Sequence, residues 1–443
     1  MKKPLDPHAL LVETLGPCAI PSPLGLSTTL DDGIADYVED DARITVDIET
    51  RVGETSSGAL AEKAGPRQRI RFDPKHTRAA IVTCGGLCPG IDNVVRALVL
   101  ELHHKYGVKE ILGVRYGFEG LVSQGTAPVR LGPDEVRHIH TRGGSFLGLS
   151  RGMQDVAAMV DTLAAREIDI LFAVGGDGTL RGAHALHEEI TRRSLPIAVV
   201  GIPKTIDNDI AFVDKTFGFE TAVDIARLAI DAAHAEAVSA RNGVSIVKLM
   251  GRDAGFIAAT ASLASADVNF CLVPETPFSL EGPHGLFAAL DARLRARGHA
   301  VIVVAEGCGA SLVTASSKVE RDASGNARYA SAALDAGTHL RDAITAHFRE
   351  LGVALTVKYI DPSYMLRSVP ANATDAVFCD SLARNAAHAG MAGKTDVVIG
   401  RLHRVFVHVP IPLAVGEKKR IDPDGALWLA VTEATGQPRL RGD

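Results

Sequence analysis

The sequence is poor in cysteine and has no long hydrophobic run. The chain of 443 residues contains six cysteines, at positions 18, 84, 88, 271, 308 and 379. They are too sparse for a disulfide scaffold and lack the Cys-x-x-Cys spacing of a zinc site, so they suit a reducing compartment. No segment approaches the ~20 apolar residues of a membrane-spanning helix, and residues 1–6 are not followed by the hydrophobic region of a signal peptide.

A large excess of positive charge is also lacking. The 47 Lys and Arg residues face 53 Asp and Glu residues, and the formal net charge of −6 does not suggest the broad positive surface of a nucleic-acid-binding protein. With 46% hydrophobic and 23% charged residues, the composition is that of a soluble globular protein. We therefore predict a cytoplasmic enzyme that binds neither membrane nor nucleic acid.

The length and the early turns predict an extension followed by a larger body. At ~150 residues per domain, the chain corresponds to about three domain-sized portions, or to two large domains and an extension. Pro17, Pro21, Pro23 and Gly25 interrupt the first 75 residues, in which only segment 44–52 resembles a strand. Nothing in the extension suggests chemistry, and it could pack on a neighbouring subunit or on the main body.

From residue 76 onward, short β-rich runs alternate with longer amphipathic ones, as in parallel sheets covered by helices. The first part of this pattern predicts strands at 79–83, 110–114, 168–174 and 196–200. It also predicts helices at 91–102 and 156–165 and a third helix that follows the glycine-rich turn and ends at residue 193. The second part predicts helices at 221–239 and 255–265 and strands at 244–249 and 300–305. We expect an α/β fold of two Rossmann-like lobes, each a doubly wound parallel sheet, with the active site in the cleft between them.

Two glycine-rich turns follow predicted strands, at the edge where such sheets bind ligands. Residues 84–90 read Cys-Gly-Gly-Leu-Cys-Pro-Gly, and their glycines would let backbone N–H groups approach a phosphate at a helix N-terminus. Residues 175–179 read Gly-Gly-Asp-Gly-Thr, in which the carboxylate of Asp177 suits a Mg²⁺ ion that bridges phosphates. Either turn alone could be an ordinary tight connection, and Cys84 and Cys88 could simply be packing residues.

A third motif, at residues 203–209, reads Pro-Lys-Thr-Ile-Asp-Asn-Asp. Its carboxylates at Asp207 and Asp209 could supply a general base and a group that orients the base or the metal. Lys204 would stabilise the oxygens of a phosphoryl group in transfer. The alternative is an Asn-Asp loop that makes Asx turns and has no part in chemistry.

A fourth motif, Met-Gly-Arg at residues 250–252, also follows a predicted strand. The guanidinium group of Arg252 could hold a sugar phosphate, or it could form an ordinary surface salt bridge. The same alternatives apply to Glu306, Tyr364 and Arg367.

The ordered series of these motifs resembles that of the 6-phosphofructokinases. The six motifs Gly-Gly-Leu-Cys-Pro-Gly, Gly-Gly-Asp-Gly-Thr, Pro-Lys-Thr-Ile-Asp-Asn-Asp, Met-Gly-Arg, Ala-Glu-Gly and Tyr-x-x-Arg occur in the family's order between residues 76 and 410. Residues 359–365, Tyr-Ile-Asp-Pro-Ser-Tyr-Met, are closest to the plant-type and trypanosome-type enzymes. The resemblance implies transfer of a phosphoryl group from MgATP to the C1 hydroxyl of fructose 6-phosphate by a homodimer or homotetramer under possible allosteric control.

The resemblance also implies a role for each matching residue. Asp207 would be the catalytic base and Asp177 would face Mg²⁺. The nucleotide site would comprise Gly86, Arg151, Gly152, Gly176, Asp177, Gly178 and Thr179. The substrate site would comprise Thr205, Ile206, Asp207, Asp209, Met250, Gly251, Arg252, Glu306, Tyr364, Met365, Leu366 and Arg367.

The same resemblance divides the chain into four portions. Residues 1–75 would form the N-terminal extension, and residues 76–219 the nucleotide-binding lobe. Residues 220–364 would form the sugar-phosphate-binding lobe. The C-terminal segment 365–443 would return in part to the nucleotide-binding lobe.

The choice of phosphoryl donor depends on Gly178 and Lys204. Gly178 leaves room for the α-phosphate of ATP, where the family's pyrophosphate enzymes carry an Asp that would crowd and repel that group. Lys204 points the other way, because pyrophosphate enzymes share it and the common bacterial ATP enzymes have glycine there. Plant-type and trypanosome-type ATP enzymes combine both residues, so we predict ATP, with pyrophosphate as the alternative donor.

Two other functions compete with this prediction. Kinases of the NAD or diacylglycerol type also use Gly-Gly-Asp-Gly-Thr, but they lack the Thr-Ile-Asp-Asn-Asp and Met-Gly-Arg motifs that are present here. A catalytically silent regulatory subunit would bind nucleotide or sugar phosphate as a sensor. Loss of the Asp that binds the metal or of the Asp that acts as the base would mark such a subunit, and this sequence keeps both Asp177 and Asp207.

The sequence departs from the bacterial pattern at two positions. Arginines that bacterial relatives contribute across a subunit interface fall on Gly243 and Lys358 in this sequence. Capture of the substrate phosphate could therefore differ here, and Arg241 is near enough in sequence to compensate. Near the end of the chain, the basic residues 418–420 read Lys-Lys-Arg and are predicted to be a solvated loop.

Overall fold

The fold consists of two open sheets covered by helices. The computed structural model describes residues 7–49, 58–122, 124–309, 319–321, 327–329 and 335–440. The strands of these residues are, in chain order, β1 Glu13–Thr14, β2 Ile20–Pro21, β3 Arg43–Thr45, β4 Leu60–Lys63, β5 Arg69–Ile70, β6 Arg78–Thr83, β7 Glu110–Val114, β8 Val129–Arg130, β9 Ile170–Gly175, β10 Ala198–Pro203, β11 Gly243–Leu249, β12 Phe270–Leu272, β13 His299–Ala305, β14 Val319–Arg321, β15 Ala327–Tyr329, β16 Thr356–Ile360, β17 Lys394–Thr395, β18 Val397–Leu402 and β19 Val405–Pro410. The helices are α1 Ile91–Leu100, α2 Val156–Ala165, α3 Asp177–Arg192, α4 Phe219–Val238, α5 Phe256–Ser265, α6 Leu286–Arg297, α7 Ala336–Glu350, α8 Ser363–Ser368, α9 Ala373–Met391, α10 Ile411–Ala414 and α11 Ala426–Thr435.

The first sheet has nine strands in the order β3-β4-β19-β18-β10-β9-β6-β7-β8. Its five central strands, from β18 to β7, are parallel. The strands at both edges pair antiparallel to their neighbours. The carboxyl ends of the parallel strands therefore meet at one edge of the sheet, where ligands bind in folds of this class.

The second sheet has four strands, all parallel, in the order β12-β13-β11-β16. In its central pair, Gly243 lies opposite His299 and Leu249 lies opposite Ala305, so β11 and β13 end level with each other. Helix α4 packs against both of these strands. The residues that follow β11 and β13 are thereby held side by side.

The core of the first lobe lies on both faces of its sheet. Along β6, Ala79 and Ile81 face one core cluster and Ala80 and Val82 face the other, since successive side chains of a strand point to opposite sides. Helices α1 and α9 contribute to the first cluster, and helices α2 and α3 contribute to the second. This two-sided covering confirms the predicted α/β fold of two Rossmann-like lobes.

Most predicted elements lie within two or three residues of their observed bounds. Helix 156–165 and strand 110–114 match α2 and β7 fully. The strand predicted from residue 168 begins at Ile170, because the N–H of Ile168 donates to the carbonyl of Leu163 and ends the preceding helix. The helix predicted at 91–102 is α-helical to Leu100 and then widens into a π-helical turn, Glu101–Tyr106.

The early segment packs on the main body of the chain. Strands β3 and β4 extend the nine-stranded sheet through β19, and β1 pairs with β17. The strand predicted at 44–52 is shorter than expected, since it spans Arg43–Thr45, and residues 50–57 lie outside the described residues. Among the helices of the described residues, none combines the length and hydropathy that spanning a membrane requires.

Candidate active site

A cavity of about 530 Å³ lies between the two sheets, at the carboxyl ends of their parallel strands. Its walls come from the segments that follow β6, β9 and β10 in the first lobe and β11 and β13 in the second. The predicted site residues that line it are Gly86, Arg151, Gly152, Gly176, Asp177, Gly178, Thr179, Lys204, Thr205, Ile206, Asp207, Asp209, Met250, Arg252, Glu306 and Arg367. Residues distant in sequence therefore meet in one concave site.

One end of the cavity is formed by a glycine turn that cations approach closely. Lys204 is buried, and its Nζ donates to the carbonyl oxygen of Gly86 over 2.7 Å. Gly85 has a φ of +89°, and a Cβ atom there would lie 3.0 Å from the same Nζ. A Cβ atom on Gly86 would lie 3.3 Å from Nη2 of Arg151. The left-handed φ favours glycine at residue 85, and the turn gathers the positive charge that binding of phosphate oxygens requires.

Asp177 opens helix α3 directly after β9. Its carboxylate lies at the helix N-terminus, where the helix dipole favours negative charge, and its Oδ2 is 3.1 Å from Nε of Arg181. The Asp177 side chain is 27% exposed and faces the cavity. A carboxylate in this position fits a Mg²⁺ ion that also binds phosphate oxygens and water.

The segment after β10 is folded by its own polar side chains. Thr205 Oγ1 accepts a hydrogen bond from the N–H of Asp207 over 3.1 Å and donates to Oδ1 of Asp209 over 3.4 Å. Asn208 adopts a left-handed conformation with a φ of 55°, and its Oδ1 accepts from the N–H of Thr216 over 3.1 Å. The turn is therefore made by the Thr205 hydroxyl and is not the Asx turn of the alternative interpretation, and it presents Asp207 and Asp209 to the cavity.

Asp207 carries the most perturbed carboxylate of the site. Burial, together with the charges of Asp209 and Glu306, raises its pKa to about 7. Its Oδ1 is shielded from solvent and has no hydrogen-bond partner among the described residues. A carboxylate with a pKa near neutrality and an open acceptor atom suits a general base.

The second lobe contributes the opposite wall. Arg252 follows β11 and Glu306 follows β13, and their Nη2 and Oε1 atoms are 3.9 Å apart. Gly251 does not line the cavity, and its carbonyl accepts a hydrogen bond from the N–H of Gly307 over 3.0 Å. This bond ties together the ends of the two strands that position Arg252 and Glu306.

Three predicted residues of helix α8 do not line the cavity. Leu366 is fully buried in the core, whereas Tyr364 and Met365 are 76% and 61% exposed. Only Arg367 reaches the site, and its guanidinium carbon lies 5.1 Å from the ring centroid of Tyr364. In this short helix, four consecutive residues point in different directions, so adjacency in sequence does not place all four at the site.

Sequence reasoning missed three charged residues of the cavity, Arg181, Asp253 and Lys418. The prediction of a solvated loop at 418–420 is wrong for Lys418 and Lys419, because Lys418 binds two carboxylates of the site and the partly buried Lys419 donates to Asn208 and to the carbonyl of Val213. Arg181 lies four residues after Asp177 on a predicted helix, a spacing that could have indicated the ion pair. Lys418 lies far from every motif and gives no such signal.

Comparison with known proteins identifies the family of the chain. A family profile described as Phosphofructokinase matches residues 78–390. The chain belongs to the phosphofructokinase family. It is 45% identical over 436 residues to a protein of Borreliella burgdorferi named ATP-dependent 6-phosphofructokinase, covering 96% of each chain. It is also 46% identical over 439 residues to a protein of the same name from Amycolatopsis methanolica, covering 97% of this chain and 95% of the relative.

Other phosphofructokinases extend the comparison to plants and to solved structures. A chloroplastic ATP-dependent 6-phosphofructokinase of Arabidopsis thaliana is 42% identical over 414 residues, covering 91% of this chain and 76% of the relative. The crystal structure of the pyrophosphate-dependent phosphofructokinase from Marinobacter aquaeolei superposes with a TM-score of 0.66 at 19% identity, covering 83% of this chain and 92% of that one. At that identity the likeness shows the fold alone, and it confirms the two-lobed architecture of the phosphofructokinases.

Proposed function

We propose that this phosphofructokinase transfers the γ-phosphoryl group of MgATP to the C1 hydroxyl of fructose 6-phosphate, yielding fructose 1,6-bisphosphate and ADP. The observation that carries this proposal is the convergence of Asp177, Lys204 and Asp207 on one cavity between the lobes. The three residues supply a metal-binding carboxylate, a cation and a base, which phosphoryl transfer needs in one place. The names of the curated relatives support the same reaction and the same donor.

In the proposed reaction, Asp207 accepts the proton of the C1 hydroxyl as its oxygen attacks the γ-phosphorus. The Asp207 backbone N–H bonds to Thr205 Oγ1, which fixes the position of the base. Thr205, Ile206 and Asp209 line the sugar side of the cavity. Met250, Arg252, Glu306 and Arg367 hold the sugar phosphate, while Gly251 acts only through its backbone.

On the donor side, Lys204 and Arg151 meet the transferred phosphoryl oxygens, and residues 176–179 cradle the nucleotide phosphates. Asp177 would hold Mg²⁺, which supplies charge neutralisation at those phosphates when it is bound. Arg181 pairs with the Asp177 carboxylate and therefore competes with the cation for it. In-line positioning and neutralisation of charge provide most of the catalysis.

Pyrophosphate is the second candidate donor. Lys204 is compatible with it, because the pyrophosphate enzymes of the family share this lysine, and its buried ammonium group reaches the phosphate-binding turn. Gly178 favours ATP, because it adds no side chain to the cavity wall beside Asp177. We assign the donor to ATP on the steric argument.

We further propose a division of the chain that follows its two sheets. The nucleotide-binding lobe would span residues 76–219 and the sugar-phosphate-binding lobe residues 220–364, with an N-terminal extension 1–75 and a C-terminal segment 365–443. Strands β18 and β19 of that segment pair within the first sheet, which supports its return to the nucleotide-binding lobe. We propose that the enzyme acts in glycolysis, in the cytoplasm, as a homodimer or homotetramer.

The substitution Asp207→Asn tests the proposed base. We expect it to lower kcat by ~10²–10⁴-fold, the usual contribution of a positioned general base, and to leave fructose 6-phosphate binding largely intact. Steady-state kinetics give kcat, and calorimetric titration gives the affinity. The matched control is Asp424→Asn at an exposed loop position outside the cavity. A kcat within twofold of the control would exclude Asp207 as the base.

A further inference from the structure

Lys418 reaches the candidate active site from a segment beyond all six motifs. Its Nζ lies 3.1 Å from Oδ2 of Asp209 and 2.6 Å from Oδ2 of Asp253. Asp209 belongs to the segment after β10 in the first lobe, and Asp253 to the segment after β11 in the second. One ammonium group therefore joins carboxylates of both lobes across the cavity.

The backbone around Lys418 is fixed to the segment that carries Asp207. Lys418 forms an isolated antiparallel bridge with Ile210, and the N–H of Lys419 donates to the carbonyl of Asp209 over 2.9 Å. The Nζ of Lys419 donates to Oδ1 of Asn208 over 3.0 Å. These bonds place the ammonium group of Lys418 beside the catalytic segment in a defined geometry.

The charges around Asp207 come from several elements. Asp209 lies on its own segment, Glu306 follows β13, Arg252 follows β11, Lys204 follows β10 and Lys418 comes from the C-terminal segment. Burial, Asp209 and Glu306 raise the pKa of Asp207, Lys418 and Arg252 lower it, and the net result is a pKa of about 7. Burial alone would lower the pKa of Lys418, but Asp209 and Asp253 raise it above its ordinary value, so its charge persists.

We propose that Lys418 is a positioning residue for the phosphoryl transfer: its ammonium group holds Asp209 and Asp253 across the interlobe cavity and keeps the adjacent Asp207 in its ionised, proton-accepting form. The inference rests on the proposed function, because it requires Asp207 to act as the base. It gives a chemical task to a residue that resembles an ordinary surface lysine in the sequence.

The pH dependence of kcat/KM for fructose 6-phosphate tests this role. Activity falls on the acidic side as the base becomes protonated. In Lys418→Met the cation is lost, so the pKa of Asp207 rises and the acidic limb moves to higher pH by about 1 unit. Well below the wild-type midpoint the loss is about tenfold, and at alkaline pH the variant approaches the wild-type rate. Lys418→Arg keeps the charge and restores the wild-type limb.

A matched control removes a lysine far from the cavity. Lys109 is exposed and precedes β7, at the sheet edge opposite the carboxyl ends of the strands. Lys109→Met leaves the pH profile unchanged. Should Lys418→Met fail to fold, Lys418→Gln keeps a polar contact with the carboxylates and reports the same shift without the charge.

The possible outcomes separate this inference from the proposed function. If the wild type is active and its acidic limb coincides with those of Lys418→Met and Lys418→Gln, the role of Lys418 is overturned. The proposed function is unaffected by that result. A loss that is equal at every pH and is not rescued by Lys418→Arg indicates a purely structural lysine and also overturns it. A folded wild type that does not phosphorylate fructose 6-phosphate overturns the proposed function and, with it, this inference.

Discussion

The donor preference proposed for this phosphofructokinase depends on Lys204 and Gly178. Lys204 extends into the glycine turn at Gly86, where it would meet phosphate oxygens of ATP or of pyrophosphate alike. Gly178 follows Asp177, the proposed metal ligand, at the start of α3 and adds no side chain to the cavity wall. Because Lys204 serves both donors, the space at residue 178 decides between them.

The substitution Gly178→Asp tests that conclusion. The new carboxylate would occupy the space beside Asp177 and repel the additional phosphate of ATP, so we expect KM for ATP to rise about tenfold or more, equivalent to at least ~1.4 kcal/mol. KM for fructose 6-phosphate should stay within twofold. Gly178→Ala is the matched control, because it adds volume without charge. Unchanged ATP kinetics in Gly178→Asp would remove residue 178 as the donor gate.

At the residue scale, the sequence predicts those site residues that belong to compact motifs at strand ends. Asp177, Lys204 and Asp207 meet because parallel strands bring their carboxyl ends to one edge. Lys418 could not be predicted, since its place depends on where the chain returns after β19. Leu366 is predicted to belong to the site but is buried in the core, because the direction of its side chain depends on the exact start of α8.

At the scale of elements, a buried carboxylate joins the N-termini of two helices. Asp375 in the first turn of α9 is fully buried, and its Oδ2 accepts from the N–H and from Oγ1 of Thr221 over 2.8 and 2.6 Å. Thr221 lies in the first turn of α4, and just before that helix Thr216 Oγ1 donates to the carbonyl of Thr205 over 2.6 Å. The contact thus supports the segment that carries the proposed base, Asp207.

We expect Asp375→Ala to lower the free energy of unfolding by ~2–4 kcal/mol, because it leaves two buried donors of Thr221 unpaired. Urea denaturation followed by circular dichroism measures this loss. The control, Asp380→Ala, removes a carboxylate on the same helix that pairs with Arg384 at the surface and should cost less than ~1 kcal/mol. Equal losses in the two variants would contradict the role of Asp375.

The order and type of the elements follow from hydrophobic periodicity, and their ends do not. The fully apolar runs of β9 and β10 are buried on both faces, a pattern that the sequence displays directly. The strands of the extension are two to four residues long and owe their pairing to β17, β19 and each other, so local sequence does not reveal them. Tertiary contacts determine such elements.

At the scale of the whole molecule, a buried charge cluster fastens the extension to the end of the chain. Glu62 on β4 accepts from Arg67 over 3.0 Å, from Lys394 over 2.8 Å and from His408 over 2.9 Å. Lys394 and His408 lie more than 300 residues away, on β17 and β19. A carboxylate with three such partners joins distant parts of the chain into one lobe.

Replacing Glu62 with Gln should destabilise the protein by ~3–5 kcal/mol at pH 7, because Lys394 and the buried Arg67 lose the Glu62 carboxylate and Arg67 is left with the exposed Asp40. Burial alone would raise the pKa of Glu62, but His408 and Lys394 hold it below its ordinary value of 4.5. The ionic stabilisation is therefore complete above pH 4.5 and decreases as the pH falls. The difference in unfolding free energy between wild type and Glu62→Gln should shrink by about 1 kcal/mol between pH 7 and pH 4. A difference that stays constant or grows would contradict this.

The account as a whole depends on the reaction and its donor, and one assay addresses both most directly. Purified protein is given fructose 6-phosphate and Mg²⁺, with ATP in one reaction and pyrophosphate in a parallel one, and formation of fructose 1,6-bisphosphate is followed. We expect product with ATP only. Product with pyrophosphate would assign the donor choice to Lys204 and contradict the argument from Gly178, and no product with either donor would contradict the proposed function.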